Sequence, residues 1–425
     1  MNLESITLAN FRGFEQIDLM FDPRVTVVAG VNGVGKSGIL HALAVLFSRS
    51  LPEFTPSSAK PVLFTNDDIH HGKPSLETSA VFTVADQRCH INVQRVKADD
   101  AGGDKSLLLL ENVQTEFART GTLDAARAET QRVLRALRDR PAQPVVIFFS
   151  PRRQLPGKPK TIPKPTPFAP KEAYKFALDD RDVTLREFMH WFRAQESLTE
   201  PNARIRINVL ERLKQVVTTF MPEFTGLRIE SSPLRMLVDK GNVPLMLNQL
   251  SDGERGMLAI LFDITRRLAI ANPNSADPVA EGEAIVLIDE IELHLHPLWQ
   301  RQVLKRFAET FKRCQFVVTS HSPLVLGEVE GKAIRFLYRD DRKVKSWTPD
   351  YALGWDVNRV LEDIMSVPAR DPETDNLLHE LARAIDREQF GHAHNLIAGL
   401  EKRLGANDAD LERPKALLAF LEGKQ

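Results

Sequence analysis

The sequence predicts an α/β protein: a mainly parallel sheet preceded by N-terminal antiparallel strands, interrupted by a helical insertion and followed by a helical C-terminal tail. Three observations predict it. The apolar run RVTVVAG ends at Gly30 in a glycine-rich loop and passes into SGILHALAVLF, a strand–loop–helix unit. From Leu250 onward, helix and strand patterns alternate: ERGMLAILFDITRRLAIA, AIVLID, PLWQRQVLKRFAETF and QFVVTS. From about residue 357 to 422 only helical patterns occur, enough for three or four helices.

The other elements follow from the same periodicities. Residues 3–9 and 15–28, around ITLANF, QIDLMF and RVTVVAG, read as strands, and a second strand-rich stretch runs from about 78 to 110. Residues 123–138 place Leu123, Ala126, Val133, Leu134 and Leu137 at helical spacing, and VVIFF then forms a strand ending near Ser150. Residues 151–170, PRRQLPGKPKTIPKPTPFAP, are Pro- and Lys-rich and read as a loop. Helical patterns return over 171–222, and LRIE and MLVD resume the strands. The expected parts are 1–150, the first part of a head; 151–225, basic loop and helical insertion; 226–350, the second part of the head; and 351–425, the helical tail.

Composition excludes several function classes. A net charge of −1 gives no global attraction to nucleic acid or anionic membrane, so such a partner needs a local patch. Two cysteines, Cys89 and Cys314, imply no disulfide framework and fit a reducing cytoplasm. The N-terminus has no signal-peptide pattern, and no apolar run of about 18 residues suggests a membrane span.

Four motifs carry chemistry. GVNGVGKS, Gly30 to Ser37, fits G-x-x-x-x-G-K-[ST] between a strand and a helix. Its glycines free backbone N–H groups for an anion; Asn32, Gly33 and Gly35 shape the cradle, Lys36 reaches the β- and γ-phosphates, and the Ser37 hydroxyl serves Mg²⁺. AIVLIDE ends a strand in Asp289–Glu290, with Asp289 suited to hold Mg²⁺ and Glu290 to deprotonate the attacking water. LSDGER starts a helix with Ser251 at the N-cap. FVVTSHSP puts His321 just past a buried strand, about 30 residues after the carboxylate pair.

In the order Walker A, signature, Walker B and histidine, these motifs resemble the stand-alone ABC ATPases related to RecF, SMC and OLD proteins. LANFRGF is similar to the LxNFRxF start of that group, which implies Arg12 and Phe14 near the nucleotide. DEIELHLHP is similar to the DE-x-E-L-H-L-H-P element of the bacterial group that includes the Septu anti-phage ATPase subunit (PtuA) and retron-associated ATPases. The resemblance implies an ATP hydrolase that uses ATP and Mg²⁺ and closes as a head-to-tail homodimer, or a higher oligomer, around nucleotide. Ser251, Gly253 and Glu254 of one copy would then meet ATP on the other, and His321 would contact the γ-phosphate. It implies a partner effector such as an HNH nuclease, since this chain shows no nuclease centre after His321. A RecF-like DNA clamp is the competing expectation.

Two departures from the family stand out. The loop after Walker B reads ELHLHP rather than SALD, so only its place at the dimer seam transfers, putting Glu292, His294 and His296 near the neighbour's phosphate. No glutamine is marked by spacing as the Mg²⁺-coordinating Q-loop residue; Gln154 is chosen and Gln94 is the alternative. His294 and His296 lack an evident third ligand, so seam geometry is preferred to a metal site. His70–His71 reads as an exposed turn. The basic loop with Arg152, Arg153, Lys158, Lys160 and Lys164 offers phosphate contacts to nucleic acid, but without interleaved aromatics a solvated linker is the favoured reading.

Overall fold

The computed structural model describes residues 1–97, 104–111, 123–153, 168–181, 183, 185–197, 203–231, 234–341 and 343–423. The chain divides into two compact units, Met1–Trp355 and Asp356–Gln425.

The first unit is built on a six-stranded sheet of order β14-β13-β3-β12-β11-β7. β3 (Val25–Gly30), β7 (Val145–Phe149), β11 (Ala284–Ile288), β12 (Cys314–Ser320) and β13 (Ile334–Asp340) run parallel, and β14 (Lys343–Trp347) closes the edge antiparallel. Every residue of β11 and β12 is buried, as expected of strands covered on both faces. A five-stranded antiparallel sheet, order β2-β1-β4-β5-β6, is formed by β1 (Asn2–Phe11), β2 (Phe14–Met20), β4 (Ser75–Val84), β5 (Gln87–Val96) and β6 (Lys105–Leu110). Helix α1 (Lys36–Phe54) touches strands of both sheets and is apolar nearly all round, which is why it sits between layers rather than on a surface. α2 (Leu123–Arg138) packs on α1 and β6.

The buried amide of Gln315 joins the two sheets. It accepts from the Leu3 N–H at 2.7 Å and donates to the carbonyls of Leu3 and Asp22 at 2.8 and 2.9 Å. A three-stranded antiparallel sheet, β8 (Phe224–Ser231), β9 (Leu234–Lys240) and β10 (Val243–Met246), precedes the third motif.

The helices anticipated as an insertion, α3 (Leu185–Ser197) and α4 (Ala203–Phe220), pack against α5 (Asp252–Ala271). Phe188 stacks on Phe262 with centroids 4.0 Å apart, so this segment belongs to the core of the same unit. α6 (Pro297–Thr310) follows β11.

The second unit holds α7 (Pro372–Asp386), α8 (Phe390–Leu404) and α9 (Ala409–Glu422) around Leu381, Ile385, Ala393, Ile397, Leu400, Leu411 and Leu418. Asp371 and Asp408 cap α7 and α9. Among the described residues no helix is long and apolar enough to cross a membrane.

Candidate active site at the ends of the parallel strands

β3 delivers the glycine-rich loop. Gly30 has φ +143°, and a Cβ there would lie 2.4 Å from the Leu337 carbonyl on the neighbouring strand. Gly35 has φ +109° and would drive a Cβ to 2.5 Å from the Phe14 ring. Both positions therefore admit only glycine without rearrangement. Asn32, Gly33 and Ser37 face outward. Lys36 is 7% exposed, and its ammonium donates to the carbonyls of Gly30 (2.8 Å) and Val31 (3.1 Å). Burial pulls the Lys36 pKa down, opposed by the nearby charges of Glu292, Glu290 and Asp289. No side chain caps α1, and its first turn holds no acidic residue, so its positive end is available to an anion.

The β1–β2 hairpin lays Arg12 over this helix start. Its Nε donates to Asp68 Oδ1 at 2.8 Å, and a Cβ on Gly38 would come within 3.5 Å of Arg12 Cδ. Burial works to raise the Asp68 carboxyl, but bonds from the Thr65 backbone and Arg12 hold it below its usual range. His70 is half-buried, not an exposed turn residue as expected; Nδ1 lies 2.8 Å from the Arg12 carbonyl, while His71 is exposed. A cavity of about 430 Å³ lies here, lined by Arg12, Asn66, His70, Lys73 and Lys97 among others.

β11 and β12 bring the second and fourth motifs together. Asp289 is 3% exposed; its N–H donates to Phe149 O at 2.8 Å, and Oδ1 accepts from the Thr319 hydroxyl. Thr319 Oγ1 also accepts the Glu290 N–H at 2.7 Å. Glu290 has φ +48°, a left-handed conformation uncommon for a residue with a side chain. Glu292 is buried rather than turned outward toward a neighbour. Its Oε1 accepts the His321 N–H at 2.7 Å and lies 2.9 Å from His321 Nδ1, while Oε2 is buried without a partner among the described residues. The His321 ring stays half-exposed.

The basic loop supplies a further correction. Arg153 is 5% exposed, and its guanidinium donates to the carbonyls of Asp289 and, at 2.5 Å, Glu290. Burial lowers its pKa to about 10 against the attraction of Glu292, Asp289 and Glu290. It is therefore not a surface contact for nucleic acid. Arg152 is exposed, whereas Lys158, Lys160, Lys164 and the proposed magnesium residue Gln154 lie outside the described residues. The alternative, Gln94, is an exposed residue of β5 opposite Glu77 and Lys105 in the antiparallel sheet.

The third motif is a closed cap. Ser251 Oγ accepts the Glu254 N–H, and Glu254 Oε2 accepts from the Ser251 N–H (2.8 Å) and hydroxyl (2.9 Å). Lys240 donates to Glu254 Oε1 at 2.6 Å. Both Glu254 oxygens are thus engaged within the chain, Oε2 in the cap and Oε1 with Lys240. Gly253 is buried, and a Cβ there would lie 2.1 Å from the His294 carbonyl, in a loop where His294 has φ +60°. Ser251, Asp252, His294 and His296 form the exposed rim, and His296 Nδ1 caps α6 through the Leu298 N–H.

Sequence reasoning missed Thr319, and it named Glu292 and Arg153 for other roles, a seam contact and a basic-loop contact. Thr319 and Glu292 lie two residues from His321 and Glu290 respectively, so spacing alone held a signal for both. Arg153 gave none, because its surroundings read as solvated.

A buried lysine on an uncapped helix start, paired carboxylates and a histidine at the ends of adjacent parallel strands form an arrangement suited to a nucleoside triphosphate. Comparison with known proteins agrees. The family described as "AAA ATPase domain" matches residues 1–101, and that described as "AAA domain, putative AbiEii toxin, Type IV TA system" matches residues 118–327. An SMC head solved with the C-winged helix domain of ScpA shares the fold, with a TM-score of 0.51 at 17% identity, covering 82% of this chain and 98% of that one. Two AAA ATPase family models thus match successive parts of the first unit, and the fold is shared with an SMC head.

The chain is similar to the Septu protein PtuA of Bacillus thuringiensis, 21% identical over 404 residues, covering 91% of this chain and 90% of that protein. It is also similar to the Retron Ec83 probable ATPase of Escherichia coli, 38% identical over 211 residues, or 49% of this chain. That second match spans 38% of the retron ATPase's own length.

Proposed function

We propose that this chain hydrolyses ATP at a site completed by a second copy, and that its nucleotide state regulates a nuclease partner in bacterial anti-phage defence. The observation that carries the hydrolytic reading is the convergence of Lys36, Asp289, Glu290 and the Glu292–His321 pair at one end of β3, β11 and β12. Similarity to PtuA and to a retron ATPase supports the defence role.

The residues fit a nucleotide with Mg²⁺. Asp289 Oδ2 takes no hydrogen bond among the described residues, and the orphaned Glu292 Oε2 is a second oxygen acceptor near Lys36. Ser37 and Asp289 would hold the magnesium, which when bound supplies charge neutralisation for the β- and γ-phosphates. Lys36 exchanges its two backbone carbonyls for phosphate oxygens. Arg12 and its cavity take the base and ribose end. Glu290 accepts a proton from the attacking water, and His321, aligned by Glu292, meets the γ-phosphate. Exposed Ser251 and Asp252, beside His294 and His296, present the rim to the second copy's cradle. ATP then favours the closed dimer by contacting both copies.

Glu290→Gln tests this reading. The variant should bind ATP, turn over at least about a hundredfold more slowly and accumulate as dimers by light scattering. Unchanged turnover would remove Glu290 as the base. For the partner, co-purification with the products of adjacent genes, with and without ATP, should recover a small HNH-type nuclease. Recovery of duplex DNA alone would favour the clamp reading, which the burial of Arg153 already weakens.

A further inference from the structure

We infer that Arg153 is a positioning residue for ATP hydrolysis: its guanidinium fixes the turn that aims the Glu290 carboxylate. The inference rests on the reading of Glu290 as the base.

A left-handed Glu290 is intrinsically costly and needs its flanking peptides held. Its N–H is held by Thr319 Oγ1 at 2.7 Å. Its carbonyl accepts the Leu293 N–H at 2.9 Å and Arg153 Nη2 at 2.5 Å. The other arm of the same guanidinium takes the Asp289 carbonyl. Two consecutive peptides are thus spanned by one rigid planar fork, a geometry that lysine cannot reproduce. The Arg153 fork is given to backbone rather than to the three carboxylates around it, so it sets where Glu290 points without neutralising Glu290 directly.

The far end of the turn rests on α5: a Cβ on Gly253 would lie 2.1 Å from the His294 carbonyl. The Glu290 turn is therefore held at one end by the Arg153 fork and at the other by its packing against the start of α5.

The test compares Arg153→Lys and Arg153→Met with wild type and Glu290→Gln. ATP affinity is measured by titration, turnover is expressed per bound nucleotide, and amide exchange is followed by mass spectrometry over residues 286–293 in nucleotide-free protein. Both Arg153 variants should bind ATP within about threefold of wild type and turn over at least about tenfold more slowly per bound nucleotide. Amides of the turn should exchange at least about tenfold faster while β12 keeps its protection. Wild-type turnover per bound nucleotide in Arg153→Lys overturns the inference. A loss of turnover matched by equal loss of ATP binding and of protection throughout the sheet also overturns it, because that is the mark of a purely structural residue. If Glu290→Gln hydrolyses at the wild-type rate, the assignment of the base fails instead. If Glu290→Gln is inert and Arg153→Lys is not, only the positioning role fails.

Discussion

Two helix starts in this head face opposite tasks, and their chemistry differs accordingly. α1 opens on a left-handed glycine, with no capping side chain and no acid in its first turn. α5 opens on a reciprocal Ser251–Glu254 cap, with Asp252 and Glu254 in its first turn and Lys240 neutralising the latter. The first leaves its positive end to an incoming anion; the second has its Glu254 N–H capped by Ser251 and its field damped by two acidic side chains. A single chain thus owns one open helix start suited to an anion and one capped, quiet edge, which under the proposed function meets a phosphate brought by a second copy.

That contrast can be broken by experiment. Lys36→Ala should weaken ATP binding about a hundredfold, since a charge-assisted contact to two phosphates is lost. Ser251→Arg should leave ATP binding by the isolated chain intact and abolish ATP-driven association seen by mass measurement. If Ser251→Arg loses ATP binding as Lys36→Ala does, the two helix starts share one site and the contrast is void.

A smaller effect is expected at Gly253. Adding a methyl 2.1 Å from a backbone carbonyl should destabilise the fold by about 1–3 kcal/mol in denaturant titration, because backbone cannot yield as a side-chain tip does. An unchanged midpoint would show the α5 edge to be looser than described.

The smallest effect concerns the cap. Burial opposes ionisation of Glu254, but the Lys240 and Ser251 bonds outweigh it and hold its pKa below the ordinary 4.5. A depressed carboxylate contributes stability that is full above its unfolded value and is lost as pH falls through the folded one. Thermal stability of wild type should therefore decline below about pH 4.5 by more than that of Glu254→Gln. Parallel curves would mean the ionised cap contributes nothing.

The α/β class, the glycine cradle and the Asp289–Glu290 strand end were legible because each is local: consecutive residues on a strand or a loop fix their own geometry. The less legible parts are those where one string of letters serves two physical purposes. A serine followed three residues later by glutamate is both a capping box and part of the ABC motif, and here Glu254 does the capping. Arg153 sits in a run of prolines and lysines whose composition says solvent, yet the fold turns this one arginine inward onto carbonyls 136 and 137 residues away. The Glu292–His321 pair bridges 29 residues and becomes visible only when β11 and β12 lie side by side.

The amide of Gln315 has one more implication. By standing in for a strand partner to Leu3 and Asp22, it laces the antiparallel layer to the parallel one with three bonds from a single buried side chain. Layers stitched in this way cannot slide past each other without stranding a polar group in the interior, at a cost of a few kcal/mol. Under the proposed function, any movement driven by nucleotide would then fall to the loops around Glu290 and His294, with the layered body as the fixed base they work against.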